Sequence, residues 1–316
     1  MRAGVVDNVL PHPESGQSME LCNKRETATV ISFADDVQCC VMRENQRELE
    51  EGMMKTAVLL EEYCGQHRLK MNASKTHFLQ IESSQRRGAH GHINSLTFGG
   101  KVVGASRSER ILGLQVSRTL FQWKEQVDKV LEEVAVVING LKRGAQYLNF
   151  KQRLATAKAC HFSRLFYSVE VWGHGLTRNQ VQSLQSAQNK VLRWVTDTPP
   201  RTSSRENIVA CGVLTVRQTI IYRTLIAGMR IIFDKRPVNL YQALVQAGGN
   251  QVSEDELVLV EEKEGFYEDR HWRNVFLKVS SLLPVELRVV ADPRKQQVKR
   301  MVREWVRGNV PFFAGE

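Results

Sequence analysis

The chain contains no run of 18 consecutive apolar residues, the length an α-helix needs to cross a bilayer. No membrane-spanning helix and no membrane partner are therefore expected. The opening residues, Met1-Arg2-Ala3-Gly4-Val5-Val6-Asp7, lack the apolar core of a secretory signal. Cysteine is sparse and unpatterned. Cys22, Cys39, Cys40, Cys64, Cys160 and Cys211 form no C-x-x-C pair and no regular spacing. That argues against a disulfide framework and predicts reduced, mostly buried thiols in an intracellular protein of the nucleus or cytoplasm. His90-Gly91-His92 has no cysteines at zinc spacing and reads as loop. There is no internal repeat and no low-complexity segment.

What remains is the composition of a soluble globular protein, 42% hydrophobic and 25% charged. Its 316 residues allow one to three domains. The net charge of +10 and pI near 9.4 favour a polyanionic partner, most commonly nucleic acid.

The most informative stretch is Phe33-Ala34-Asp35-Asp36. It lies between two runs of strand formers, Ala28-Thr29-Val30-Ile31-Ser32 and Val37-Gln38-Cys39-Cys40-Val41-Met42. Two acids interrupting apolar β-type sequence read as a hairpin tip. Carboxylates ~5 Å apart repel by roughly 3 kcal/mol at an effective dielectric of about 20. A hard cation with a preference for oxygen ligands, Mg²⁺, relieves that repulsion. Taken alone, the four residues also fit an ordinary acidic turn.

In chain order, residues 1–27 carry Pro11, Pro13, Gly16 and scattered charge, and read as loop or poorly ordered tail. After the hairpin, Leu49, Met53, Ala57, Leu60, Cys64 and His67 recur at helical spacing, which predicts a helix over 44–69. A strand is expected at 77–81. A hairpin is expected around Gly99-Gly100, with strands near 93–98 and 101–103, and a further strand at 110–116. Residues 28–117 thus read as a small α+β unit. From 118 the pattern becomes helical. Trp123, Val127, Val130, Leu131, Val134, Val137, Ile138 and Leu141 mark a long amphipathic helix that stops at Lys142-Arg143-Gly144. Helices are expected at 150–168, 178–196 and roughly 214–233, with a break at Pro199-Pro200. The region 201–316 continues with a short helix near Leu240, an acidic run from Glu254 to Glu264, and helices at 267–282 and 294–307. On the last, Val298, Met301, Val302 and Trp305 face one way, beside a basic stripe of Lys295, Lys299, Arg303 and Arg307.

Four of these features fall in one order. They are Phe33-Ala34-Asp35-Asp36, then Leu69-x-x-Asn72-x-x-Lys75-Thr76, then Leu112-Gly113, then a helical region containing Tyr167-x-x-x-x-Trp172-Gly173. The set resembles the back half of a reverse transcriptase, an RNA-directed DNA polymerase, from a non-LTR (LINE-like) retrotransposon. The resemblance covers roughly residues 28–200. It implies a partial palm over 28–117, a helical thumb over 118–200 and a helical tail over 201–316. It also implies two-metal nucleotidyl transfer from a deoxynucleoside triphosphate to a DNA primer 3′-hydroxyl, directed by an RNA template. Asp35 and Asp36 would be catalytic and hold Mg²⁺, with Asp36 at the edge of the site, and Phe33, Ala34 and Asn72 would contact the primer or nucleic acid. Lys75, placed by the Asn72 segment, would neutralise the triphosphate or protonate the leaving group. Leu112, Gly113 and Leu114 would support the primer end, with glycine allowing close backbone approach. Lys142, Arg143, Lys151, Arg153 and Lys158 would face phosphates.

Each residue also has a plainer reading. Lys75 fits a solvated turn lysine, Gly113 a bulge, and Lys142-Arg143 the cationic end of a helix. Trp172, Trp194 and Trp305 fit packing residues better than base-stacking platforms. A polymerase palm also needs an earlier aspartate, on a strand paired with the acidic hairpin. Before Asp35 the only acids are Asp7, Glu14, Glu20 and Glu26, with no strand context in the sequence. The expectation is therefore a truncated fragment of such a polymerase, inactive by itself and with an unpaired sheet edge. The alternatives are a basic nucleic-acid-binding module built from the thumb helices, or a helical interaction protein with an incidental acidic hairpin.

Overall fold

A computed structural model of the chain describes residues 18–23, 26–33, 36–43, 45–69, 72, 75–81, 93–98, 100–118, 123–144, 147–235, 241, 276, 280, 283–284 and 292–310. His90-Gly91-His92, and all but isolated positions of the elements expected between 237 and 282, lie outside the described residues. The fold is mixed α+β. The chain divides into two compact units. One holds Met1–Ile111 with Val116–Leu120, the other Leu112–Gln115 with Phe121–Glu316. No helix among the described residues is long and apolar enough to cross a membrane.

The first unit is built on a three-stranded antiparallel sheet of order β1-β2-β3. Its strands are β1 (Ser18–Asn23), β2 (Glu26–Phe33) and β3 (Asp36–Val41). The expected hairpin is present, with Phe33 paired to Asp36. The strand β1 corrects the reading of 1–27 as loop. Met19 and Leu21 alternate with Ser18 and Glu20, a period of two too short to stand out in sequence. β1 pairs with β2 from Asn23 opposite Glu26 to Ser18 opposite Ile31, so the edge of β2 expected to be bare is covered.

Helix α1 (Gln46–Gln66) starts at Asn45, whose side chain accepts from the Glu48 N–H. A Cβ on its Gly52 would stand 3.0 Å from Val41 Cγ1, so glycine permits the close approach of α1 to the end of β3. Leu49 and Met53 pack on the buried Phe78, Ile93 and Val103. The hairpin at Gly99-Gly100 forms as expected. β4 (Ser95–Phe98) pairs with β5 (Lys101–Gly104), and Gly100 takes φ +70°. No strand forms at 77–81. Phe78 makes a single parallel bridge to Ala105 and accepts from the Ser106 N–H. The apolar ring that suggested a strand serves as a core plug.

The strand expected over 110–116 is two strands. β6 (Ser108–Ile111) and β7 (Leu114–Ser117) form a two-stranded sheet, with Leu112 and Gly113 between them at φ +45° and +88°. Two consecutive left-handed residues make a turn whose twist matches a hairpin. Leucine is rarely found there, because its Cβ opposes positive φ.

The second unit is helical. α2 (Lys124–Gly144) buries Val127, Val130, Val134 and Ile138 along one stripe, as its periodicity predicts. The helix expected over 150–168 is broken. α3 (Phe150–Thr156) runs into a π-helical turn (Ala157–Phe162), then α4 (Ser163–Leu165). Ser168 at φ +47° interrupts the path before α5 (Val169–Trp172) and a 3₁₀ turn (Gly173–Gly175). Next come α6 (Arg178–Thr196), the short α7 (Ser204–Ala210) after Pro199-Pro200, and α8 (Val216–Asp234). Helices α3, α6 and α8 all begin with a reciprocal capping box, Asn149 with Gln152, Thr177 with Gln180, and Thr215 with Gln218. The last helix, α9 (Gln296–Asn309), buries Val298, Val302 and Val306 against Ile221, Leu225 and Met229 of α8. Met301, expected on that apolar face, is exposed. Part of the basic stripe is structural. The Arg303 guanidinium lies 5.3 Å from the Tyr222 ring centroid, and Arg307 donates to the Gly212 carbonyl.

Candidate nucleic-acid interface

The β2–β3 register aligns the two strands that flank the acidic pair. Phe33 ends β2, Asp36 begins β3, and Ala34 and Asp35 lie outside the described residues. Adjacent aspartates are oxygen donors of the kind that bind Mg²⁺. Two ions need further carboxylates. Among the described residues, no group of three or more His, Cys, Asp or Glu side chains converges to hold a metal.

The strand register locates the earlier acids. Glu20 lies in β1 opposite Thr29, and Glu26 opens β2, so both have the strand context that the sequence did not show. Thr29 is four residues from Phe33, or ~13 Å along a strand, and Glu26 is seven residues away, ~23 Å. A partner strand for the hairpin exists, and its described acid is far from the tip.

Lys75 stands in an exposed turn. Its N–H donates 2.9 Å to the Asn72 carbonyl, which also accepts from the Thr76 hydroxyl at 3.1 Å. The segment thus has a defined backbone, entered after Arg68 at φ +56°. Its lysine retains the chain freedom of a surface side chain.

In the second unit, two separated sequence features meet. The Tyr167 hydroxyl donates 2.8 Å to the Leu112 carbonyl, 55 residues away. A Cβ on Gly113 would come within 3.1 Å of the Tyr167 ring, so this close approach needs glycine, as does the φ of +88°. Trp172 is completely buried, and its indole N–H donates 2.8 Å to the Tyr167 carbonyl. Gly173 packs under α8, where a Cβ would stand 2.9 Å from Ile220. His174 then pairs with the Thr224 hydroxyl at 2.6 Å. On the other side of the turn, the Gln115 N–H donates 2.8 Å to Oε1 of the buried Gln126 in α2. Leu112 and Gly113 are therefore the tip of a braced turn, which corrects the expectation that they lie within a strand. Trp172 is a packing residue, as expected, and Trp305 is partly buried in the α8–α9 core.

The expected phosphate-binding cations separate into two kinds. Lys142 and Arg143 are exposed in the last turn of α2, and Lys151 and Lys158 are exposed along the following segment. Arg153 is 13% exposed and turned inward. Its guanidinium donates to the carbonyls of Leu148 (2.9 Å) and Trp194 (3.3 Å), and Asp197 lies at 3.3 Å. Arg153 thus ties α3 to the end of α6, and is a structural cation in place of the phosphate contact expected. Between Arg143 and Lys151, sequence reading passed over Tyr147 and Phe150, which are 79% and 44% exposed. Exposed aromatics interleaved with lysine and arginine occur on single-strand binding surfaces of other proteins. Their place beside a basic helix end was the available signal.

One buried titratable group lies apart from these. His161, in the π-helical turn, is completely buried with no hydrogen-bond partner on either ring nitrogen among the described residues. Burial pushes its pKa down from 6.5 to about 4, keeping the ring neutral.

Against protein-family models, curated proteins and solved structures, the chain has no match.

Proposed function

We propose that this chain carries the acidic palm hairpin and helical thumb of an RNA-directed DNA polymerase resembling those of non-LTR retrotransposons, and that it grips a DNA primer on an RNA template. The observation that best supports this reading is the braced turn. Leu112-Gly113 and Tyr167-x-x-x-x-Trp172-Gly173 are separate parts of the ordered motif set. Tyr167 joins them through one hydrogen bond to Leu112 and its ring contact with Gly113, and Trp172 secures Tyr167 from within its own motif by a second hydrogen bond. A backbone turn held in place by a side-chain brace suits support of a primer end, and the glycine at its tip serves the close packing of Tyr167 that makes the brace.

In this reading, Asp35 and Asp36 hold Mg²⁺, which when bound supplies charge neutralisation at the triphosphate and the primer hydroxyl. Lys75 adds a mobile positive charge to the same neutralisation. Lys142, Arg143 and Lys151 meet the phosphate backbone, and each contact displaces a condensed counterion. Glu20 and Glu26 are too distant along β1 and β2 to complete a two-ion carboxylate set. These residues by themselves therefore bind primer–template without extending it.

The test pairs two measurements on the purified chain, filter binding and primer extension on a homopolymer RNA template with Mg²⁺ and deoxynucleotides. Salt-sensitive binding without extension is expected. Processive synthesis would refute the incomplete site, and absence of binding at low salt would refute the polymerase reading.

A further inference from the structure

An open cleft of about 340 Å³ lies among Phe150, Thr196, Thr198, Thr202, Glu206 and Asn207. That volume is near the lower end of small-ligand sites, roughly 300–1,000 Å³, and suits a group the size of a base with its sugar. One wall is aromatic. Phe150 opens α3 and leaves much of its ring in solvent. The lining also carries polar groups. Asn207 is 3% exposed, and its Oδ1 accepts from the hydroxyls of Thr196 (2.9 Å) and Thr198 (3.1 Å). Its amide nitrogen has no acceptor among the described residues. That nitrogen is enclosed, so Asn207 shapes the floor of the cleft and the accessible polar groups are those of its neighbours. Thr202 adds a hydroxyl and Glu206 an acceptor carboxylate.

The flanking charge is mixed and mainly positive. Lys151 follows Phe150, Arg201 precedes Thr202 and Arg205 precedes Glu206, while Asp197 stands between Thr196 and Thr198 and is paired with Arg153. Tyr147 offers a second exposed ring three residues before Phe150.

We propose that this cleft takes one unstacked nucleobase of a single-stranded nucleic acid. The base lies on the Phe150 ring. Its hydrogen-bonding edge meets Thr202 and Glu206, and its neighbouring phosphates meet Lys151 and Arg201. An aromatic face with a donor-and-acceptor edge matches a base, which has both a π-face and a polar edge. A base held in a duplex cannot enter, because its faces are stacked and its edge is paired. The inference rests on the nucleic-acid reading above and adds a preference for single strands at a defined position.

The experiment uses the full chain with two fluorescent oligonucleotides of equal length, a single strand and a duplex, each containing 2-aminopurine. Anisotropy gives affinity, and 2-aminopurine emission reports stacking. The single strand is expected to bind more tightly, with altered emission. Phe150→Ala should weaken single-strand binding about tenfold, leave duplex binding unchanged and keep the salt dependence. Thr202→Val should give a smaller loss in the same direction. Phe150 is exposed and Thr202 partly so, and thermal melting of each variant checks that the fold is retained. Wild-type affinity and emission in both folded variants would overturn the cleft while leaving the nucleic-acid reading intact. Failure of the wild-type chain to bind either oligonucleotide at low salt would overturn both.

Discussion

The Tyr167 hydroxyl makes one hydrogen bond, yet it fixes a carbonyl in a turn that leucine enters unwillingly at φ +45°. Tyr167→Phe removes only that bond. It should cost about 1 kcal/mol in urea unfolding and speed amide exchange at Leu114 and Gln115. An unchanged exchange rate would mean that the turn does not need the bond. His161 offers a second test at this scale. Neutral in the fold, with its pKa held near 4, it titrates near 6.5 once unfolded. The unfolded chain therefore takes up the extra proton between those values. The stability this group contributes is complete above pH 6.5 and falls as pH drops toward 4, by roughly 3 kcal/mol in total at about 1.4 kcal/mol per pH unit. His161→Leu should flatten that part of the profile when urea midpoints are followed from pH 7.5 to 4. A variant that retains the full acid loss would assign it to other groups. Arg153 shows why residue type alone misleads. Its sequence context is that of Lys151, two positions away, and only the carbonyls of Leu148 and Trp194 distinguish the inward cation from the outward one.

Elements carry the next set of constraints. α5 is four residues long, and it is held against α8 by Gly173 under Ile220. Gly173→Ala inserts a methyl 2.9 Å from two Ile220 carbons and 3.1 Å from Val169. That overpacking should cost about 1–3 kcal/mol. The double variant with Ile220→Val should recover part of the loss, a non-additivity that a thermodynamic cycle measures. At this scale the sequence was legible where one local signal sufficed. The Gly99-Gly100 hairpin, the apolar stripe of α2 and the Pro199-Pro200 break each follow from a turn residue, a period or a missing donor. It was illegible where tertiary contact decided. Val130 and Val134 announce α2, but nothing local to Leu112 announces a left-handed turn, because its brace sits 55 residues away in Tyr167. The π-helical turn at Ala157–Phe162 is hidden in the same way, inside a stretch whose composition fits an unbroken helix. β1 is too short for its alternation to be read without the partner strand that orders it. The candidate site divided on the same line. Motif order pointed to the acidic hairpin and the Leu-Gly turn. The role of Tyr167 and the exposed rings of Tyr147 and Phe150 required neighbours to be seen.

For the molecule as a whole, charge and geometry bear on different parts of the proposal. A net +10 gives a long-range attraction for polyanions that says nothing about chemistry. The proposed function assigns that attraction to the exposed cations at the end of α2 and start of α3, and assigns the braced turn to the primer end. The acidic hairpin pairs with a strand whose described acid is ~13 Å along the sheet from Phe33, and on the proposed reading this is why binding is expected without extension. The central claim is thus that primer–template binding runs through Lys142, Arg143 and Lys151. The measurement that tests it most directly is the salt dependence of binding of a fluorescent RNA–DNA primer–template. Log Kd should rise linearly with log salt concentration. The triple variant Lys142→Gln, Arg143→Gln, Lys151→Gln should lower that slope by about 2–3, whereas Arg153→Gln should leave it unchanged. A slope unaltered by the triple variant, or no binding by the wild-type chain at low salt, would contradict the account.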